Sequence, residues 1–303
     1  MAQVSSPRRT PTRRALLGAL TISGVGLLTG CGRTGTPRQT GTVQTPRPPA
    51  TAPIRYSYGA DASQWAELYR PAATTTPAGT AIVIHGGFWR AQYGAELGAP
   101  LAADLSRRGW TAWNVEYRRV GIGGGWPNTL ADVAAAIDYL PLITPALNLG
   151  RVVAIGHSAG GQLATWAAHR GKLAAGVPGA HPRLEPGAVI CQAGVLDLVT
   201  AARTGVGGSA VGDLLGGSPD EVPDRYRDAS PQAQLPLRVP VRCVHSRADE
   251  NVPYSQSVNY VAAARAAGAD ADLIEVPGDH MSLIDPGSVA WHAVLGLLKD
   301  WAH

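Results

Sequence analysis

One serine in this chain stands where a nucleophile could, in Gly156-His157-Ser158-Ala159-Gly160. Four apolar residues, Val152-Val153-Ala154-Ile155, run into it, and a helical pattern follows at once. On a sharp strand-to-helix turn a serine hydroxyl is pushed out of the sheet top, and flanking glycines take the turn without a Cβ clash. A serine hydroxyl is a weak nucleophile at its free pKa. It needs a base within hydrogen-bond reach, and the base needs a third group to hold its tautomer. Two later loops supply both partners: Asp249 in Asp249-Glu250-Asn251-Val252-Pro253, and His280 in Pro277-Gly278-Asp279-His280. The implied chemistry is acyl transfer, with Ser158 attacking a carbonyl, His280 moving the proton and Asp249 orienting His280. Asp197, in Gly194-Val195-Leu196-Asp197, competes for the acid's role, although its side chain reads better as a cap or loop brace. Amide donors for the developing oxyanion are expected from Ala159 and from the loop His85-Gly86-Gly87-Phe88-Trp89.

These residues need a scaffold that brings distant loops together. Largely apolar runs at 80–84, 110–117, 152–155, 188–192, 239–245 and 272–276 read as strands buried in the sheet. Helical patterns alternate with them at 97–108, 128–142 (with Asn128 as its cap), 158–170, 255–267 and 288–301. An antiparallel hairpin at 55–71 precedes them, and 199–235 reads as irregular. Strict alternation predicts an α/β fold: a doubly wound, mostly parallel sheet of about eight strands with helices on both faces. Such sheets place their active site at the carboxyl ends of the strands, where Ser158, Asp249 and His280 all fall.

The remaining histidines read as structural. His245 ends a strand, His157 fills the variable position of the turn, and His85 braces the oxyanion loop. His169, His181, His292 and His303 read as surface or helix residues. Their scatter shows no metal-ligand spacing, so neither metal nor cofactor is expected. Cys191 and Cys243 lie in apolar runs and are expected as buried free thiols. Trp89 and Trp126 are read equally well as pocket lining or as core.

Together, His-Gly-Gly-Phe-Trp, Gly-His-Ser-Ala-Gly-Gly, Asp-Glu-Asn-Val-Pro and Gly-Asp-His resemble the α/β-hydrolase superfamily, over residues 54–303. Within it they are similar to the bacterial esterase branch that includes kynurenine formamidase (arylformamidase) and feruloyl-esterase-like enzymes. The resemblance implies a catalytic domain acting on a small carboxylic ester, or on an aryl formamide such as N-formylkynurenine. It also assigns the oxyanion donors to the amides of Gly87, Phe88 and Ala159. A serine peptidase shares the fold but usually carries a propeller domain for which this chain has no room. A non-catalytic binding protein on the same scaffold is disfavoured by the intact Ser-His-Asp set.

The net charge of +4 belongs to the N-terminus. Arg8, Arg9, Arg13, Arg14, Arg33, Arg38 and Arg47 lie within residues 1–53, which hold no acid, leaving 19 basic against 22 acidic residues beyond. That balance gives no basic patch for nucleic acid. Arg13-Arg14 precede an uncharged stretch at 15–29 and then Leu28-Thr29-Gly30-Cys31, the layout of a secretory signal over residues 1–30. Thr12-Arg13-Arg14-Ala15-Leu16-Leu17 resembles a twin-arginine export signal, and Leu-Thr-Gly-Cys resembles a bacterial lipobox, which would make Cys31 a lipidated anchor. Residues 31–53, rich in Thr, Pro and Gly, read as a flexible tether. The chain is thus expected outside the cytoplasm, on the outer face of the cell membrane by its lipid or, if the leader is an ordinary secretory signal and Cys31 incidental, secreted.

Overall fold

The structure, a computed structural model, describes residues 52–301. The leader, residues 31–51 of the tether with Cys31, and His303 lie outside the described residues. Eight strands form one sheet: β1 Ile54–Ser57, β2 Trp65–Tyr69, β3 Thr80–Ile84, β4 Thr111–Val115, β5 Val152–His157, β6 Ala188–Gln192, β7 Val241–His245 and β8 Ala271–Glu275. Their order across the sheet is β1-β2-β4-β3-β5-β6-β7-β8. The β1–β2 and β2–β4 pairs are antiparallel, and every later pair is parallel. The expected α/β-hydrolase architecture is therefore present.

The helices are α1 Ala99–Arg107, α2 Asn128–Asp138, α3 Ala159–Ala167, α4 Leu198–Thr204, α5 Ala210–Leu215, α6 Pro223–Ala229, α7 Ser255–Ala266 and α8 Val289–Asp300. Alternate strand residues face opposite cores. Ile82, Ala154, Val189 and Val241 pack with Leu130 of α2, Leu163 of α3 and Tyr260 of α7. Val83, Val153, Ile190 and Val244 pack with Leu101 of α1 and Trp291 of α8. Because both faces are covered, β3, β4, β5 and β6 are buried at every residue, which explains their unbroken apolar runs.

Three local expectations are corrected. Residues 199–235 are not irregular: α4, α5 and α6 occupy most of them. Each is six or seven residues long, too short to show a helical period. Left-handed glycines, Gly205 (φ +73°) and Gly216 (φ +76°), end the first two of these helices. The helix expected to 142 stops at Asp138, because Pro141 has no N–H to continue it and a 3₁₀ turn follows. Asn128 is not its cap. Pro127 holds that position, and the Asn128 amide donates to the Gly123 carbonyl (2.9 Å).

What matters for the site is the reversal of strand order. The chain runs β3 to β4 on one side, then crosses back to place β5 on the other side of β3. Ile84 is thereby in register with Gly156, so the loops leaving β3 and β5 start side by side. Open α/β sheets bind ligands at this kind of switch point.

Candidate active site

The turn after β5 is fixed by close packing. Ser158 has φ +56°, a conformation L-residues adopt only under strain. A Cβ on Gly156 would lie 2.0 Å from the Gly160 carbonyl oxygen, and one on Gly160 would lie 2.1 Å from that of Ile84. Glycine is therefore required at both flanking positions, and α3 abuts the end of β3. The Ser158 N–H donates to the Gln192 carbonyl on β6 (2.8 Å). Ala159 opens α3, where a helix leaves its first N–H groups without intrahelical partners. The Ser158 hydroxyl is buried and makes no hydrogen bond with the protein.

The loop after β3 is strained in a similar way. Gly87, Phe88 and Trp89 have φ of +105°, +51° and +55° in succession. Such a run persists only when its surroundings over-determine it. Here the Val120 N–H donates to the Trp89 carbonyl (2.8 Å), and the Trp89 indole N–H donates to Gln162 Oε1 (3.1 Å). Gln162 in turn donates to the Ala229 carbonyl (2.9 Å), tying this loop through α3 to the helical segment at 198–229. Arg90 adds a second tie, donating to the Gly207 carbonyl (2.7 Å). Trp89 is fully buried, so packing is its role, and Trp126 is half-buried against the same core. His85 stacks on Tyr117 at 4.3 Å and meets the Gly86 carbonyl through Nδ1 (2.8 Å) and the Glu116 carboxylate through Nε2 (3.2 Å). Burial opposes the Glu116 charge, but His85 and the N–H groups of Ala95 and Tyr117 hold its carboxyl below the usual range.

Two loops from the other end of the sheet converge on the elbow. Asp249, after β7, and His280, after β8, meet with Oδ2 of Asp249 2.6 Å from Nδ1 of His280. His280 thus keeps Nε2 for any proton it exchanges with a substrate or nucleophile. The His280 carbonyl accepts from Nε2 of His157 (3.0 Å), the residue before Ser158, and the two rings lie 4.4 Å apart. The structure therefore joins Asp249 to His280 and sets His280 against the elbow. Asp197 is elsewhere: it caps α4, with Oδ1 accepting from the Thr200 N–H (3.0 Å). Asp279 is occupied with Ser282, and Glu250 is exposed.

Sequence reasoning missed a partner of Asp249. His245 is wholly buried, and its Nε2 lies 3.1 Å from the same Oδ2 that meets His280. Asp249 Oδ1 accepts two backbone N–H groups, from Asn251 (2.8 Å) and Val252 (2.9 Å). Burial opposes the Asp249 charge, yet these donors together hold its carboxyl well below the ordinary carboxylate value. Spacing offered only one hint: His245 stands four residues before Asp249 on the same strand-to-loop turn. His169 is a second correction. It is buried rather than on the surface, and burial pushes its imidazole down to about 3. Cys191 and Cys243, adjacent in register on β6 and β7, are buried free thiols as expected. Among the described residues no three His, Cys, Asp or Glu side chains are grouped to hold a metal ion.

Comparison with known proteins gives a family and a fold. The BD-FAE family profile matches residues 66–263. A truncated carbohydrate esterase from gut microbiota has a TM-score of 0.73 at 23% identity, covering 84% of this chain and 99% of its own. Esterase B from Lactobacillus rhamnosis gives 0.71 at 21% identity, over 85% and 87%. Butyrate-bound Est2 from Thermogutta terrifontis gives 0.66 at 20% identity, over 83% and 94%. At these identities the likeness is one of fold. No curated protein matches the chain.

Proposed function

Since this chain belongs to the BD-FAE family, we propose that it is a serine hydrolase of small carboxylic esters. The observation that carries the reading is the 2.6 Å contact of Asp249 with Nδ1 of His280, beside a strained serine at the switch point. Ser158 attacks the ester carbonyl, and His280 takes its proton through Nε2. The oxyanion collects at the amides of Gly87, Phe88 and Ala159. His280 then returns the proton to the leaving alcohol, which departs and leaves an acyl-enzyme on Ser158. Water, deprotonated by the same imidazole, releases the acid, while Asp249 holds the ring and stabilises the imidazolium. Every step uses groups of this chain.

The names of the structural neighbours, all esterases, support ester over amide. An aryl formamide is the alternative substrate. A p-nitrophenyl ester series assayed beside N-formylkynurenine decides between them. We expect turnover of the short acyl esters; turnover of the formamide alone would replace the ester reading. A fluorophosphonate probe should label the wild type and not Ser158→Ala, and an unlabelled wild type would remove the enzyme reading altogether. The lipoprotein reading of the leader rests on the sequence pattern. It predicts that Cys31→Ser releases the protein from the membrane fraction.

A further inference from the structure

We propose that His157 is a positioning residue for His280, holding its main chain in concert with Gln192 through one buried water that both side chains share. The inference rests on His280 being the base.

His157 and Gln192 are register partners, the last residues of β5 and β6. Each reaches across to the segment that carries His280. His157 Nε2 meets the His280 carbonyl at 3.0 Å, and Gln192 Nε2 donates to the Leu283 carbonyl. The 3₁₀ turn at Met281–Ile284 is therefore pinned at both ends by side chains that adjoin the nucleophile.

The hydrogen inventory of these two side chains then points to a third party. A carbonyl oxygen only accepts, so His157 must carry its hydrogen on Nε2, which leaves Nδ1 as an acceptor. Burial, and then the neighbouring His280, push the His157 imidazole down to about 3, so the ring stays neutral where the enzyme would work. Gln192 spends its amide N–H on Leu283, which leaves Oε1 as an acceptor. Neither Nδ1 of His157 nor Oε1 of Gln192 has a hydrogen-bond partner in the protein, and both are buried. Both residues line the same small cavity beneath the elbow, with Gly86, Leu101, Ile155 and Ile284. Its volume is about 10 Å3, the space one water centre needs. Two unpartnered acceptors on residues that line one water-sized space, whose other walls are apolar side chains, backbone and His85, match the two hydrogens of a single water.

The arrangement acts on catalysis through distance. The imidazole of His280 must meet the Ser158 hydroxyl, and the position of its ring follows from the position of its backbone. A displacement of about 1 Å at a reacting group costs on the order of 100-fold in rate.

The test is a set of variants assayed with p-nitrophenyl acetate, together with a crystal structure of the wild type that resolves waters. His157→Phe keeps a ring and loses the N–H. We expect kcat to fall by about 10- to 100-fold with KM within about twofold, and fluorophosphonate labelling to slow in parallel. His157→Gln, which restores an N–H donor, should recover part of the loss. Gln192→Leu should give a smaller fall, and it carries the test if His157→Phe does not fold. Wild-type density should show one water within hydrogen-bond distance of Nδ1 and Oε1. Unchanged kcat in His157→Phe, or a lower Tm with kcat intact, would show a structural role only and overturn the proposal. Density without the water would overturn the shared bridge. His280→Ala separates the two levels: wild-type turnover there would sink the reading of His280 as base, whatever His157 does.

Discussion

Two aspartates stand just beyond the carboxyl ends of neighbouring strands, Asp197 after β6 and Asp249 after β7. Topology offers either one to a histidine on the next loop. Their hydrogen bonds separate them. Asp197 gives both carboxylate oxygens to Thr200, one to its N–H (3.0 Å) and one to its hydroxyl (2.5 Å). Nothing in that arrangement faces the elbow. Asp249 lets two backbone N–H groups of its own turn fill Oδ1 and presents Oδ2 to two imidazoles, His245 and His280. A strand end therefore makes a place for an acid, and the local turn decides whether the acid works for the helix behind it or for the site in front.

The largest effect should come from exchanging the two carboxylates for amides. Asp249→Asn should lower kcat/KM by about 10⁴-fold, since the amide both weakens the imidazolium and offers the wrong tautomer a partner. Asp197→Asn should stay within about threefold. A large loss in the Asp197 variant alone would reverse the comparison. His245 sharpens it further. His245→Phe removes one donor from a buried carboxylate, and we expect about a 10-fold loss of kcat/KM, or ~1.4 kcal/mol. An unchanged rate would reduce His245 to packing.

A third measurement turns from turnover to stability. Burial pushes the imidazoles of His157 and His169 down to about 3. Unfolded, they would titrate near about 6.5. Between these values the unfolded chain binds protons the folded one refuses, so stability is complete above about pH 6.5 and falls as pH drops towards 3. Tm followed from pH 7 to 4 should decline, and His169→Leu should flatten the decline; an equal slope in that variant would contradict the assignment. The smallest effect belongs to Asp197 as a cap. Asp197→Ala should cost about 1 kcal/mol, a Tm shift of roughly 2–4 °C, with kcat unaltered.

The sheet was legible because both of its faces are covered. Burial on two sides forces unbroken apolar strands, and Thr80–Ile84 and Val152–His157 show them plainly. The elbow was legible because the close approach of α3 to β3 admits nothing larger than glycine at Gly160. Asp249 was preferred to Asp197 for its place in the chain, and its carboxylate is the one that meets His280, but the second imidazole on that carboxylate was invisible. A histidine ending an apolar strand has the same signature whether it packs or donates. The helices at 198–229 escaped for a different reason. Their ends are set by glycines and by the Asp197 cap, and segments of six or seven residues carry no period to read. His169 was misplaced because burial of a lone polar residue is decided by its neighbours, here a cavity wall with Lys172 and Glu185.

The position of β8 has a consequence for the order in which the molecule comes to life. β8 is an edge strand at the far end of the sheet from the hairpin, and it delivers the imidazole, whereas the serine sits on the central β5. On the proposed mechanism, a chain emerging from its N-terminus presents the nucleophile long before the residue that activates it. Any chain that stops short of residue 271, or whose last strand has peeled away, should then hold a glycine-bound elbow and an inert hydroxyl. Turnover would then report on completion. The fraction of molecules that react with a fluorophosphonate should count those in which the final strand has docked, and local opening of that edge should silence the enzyme well before the core melts.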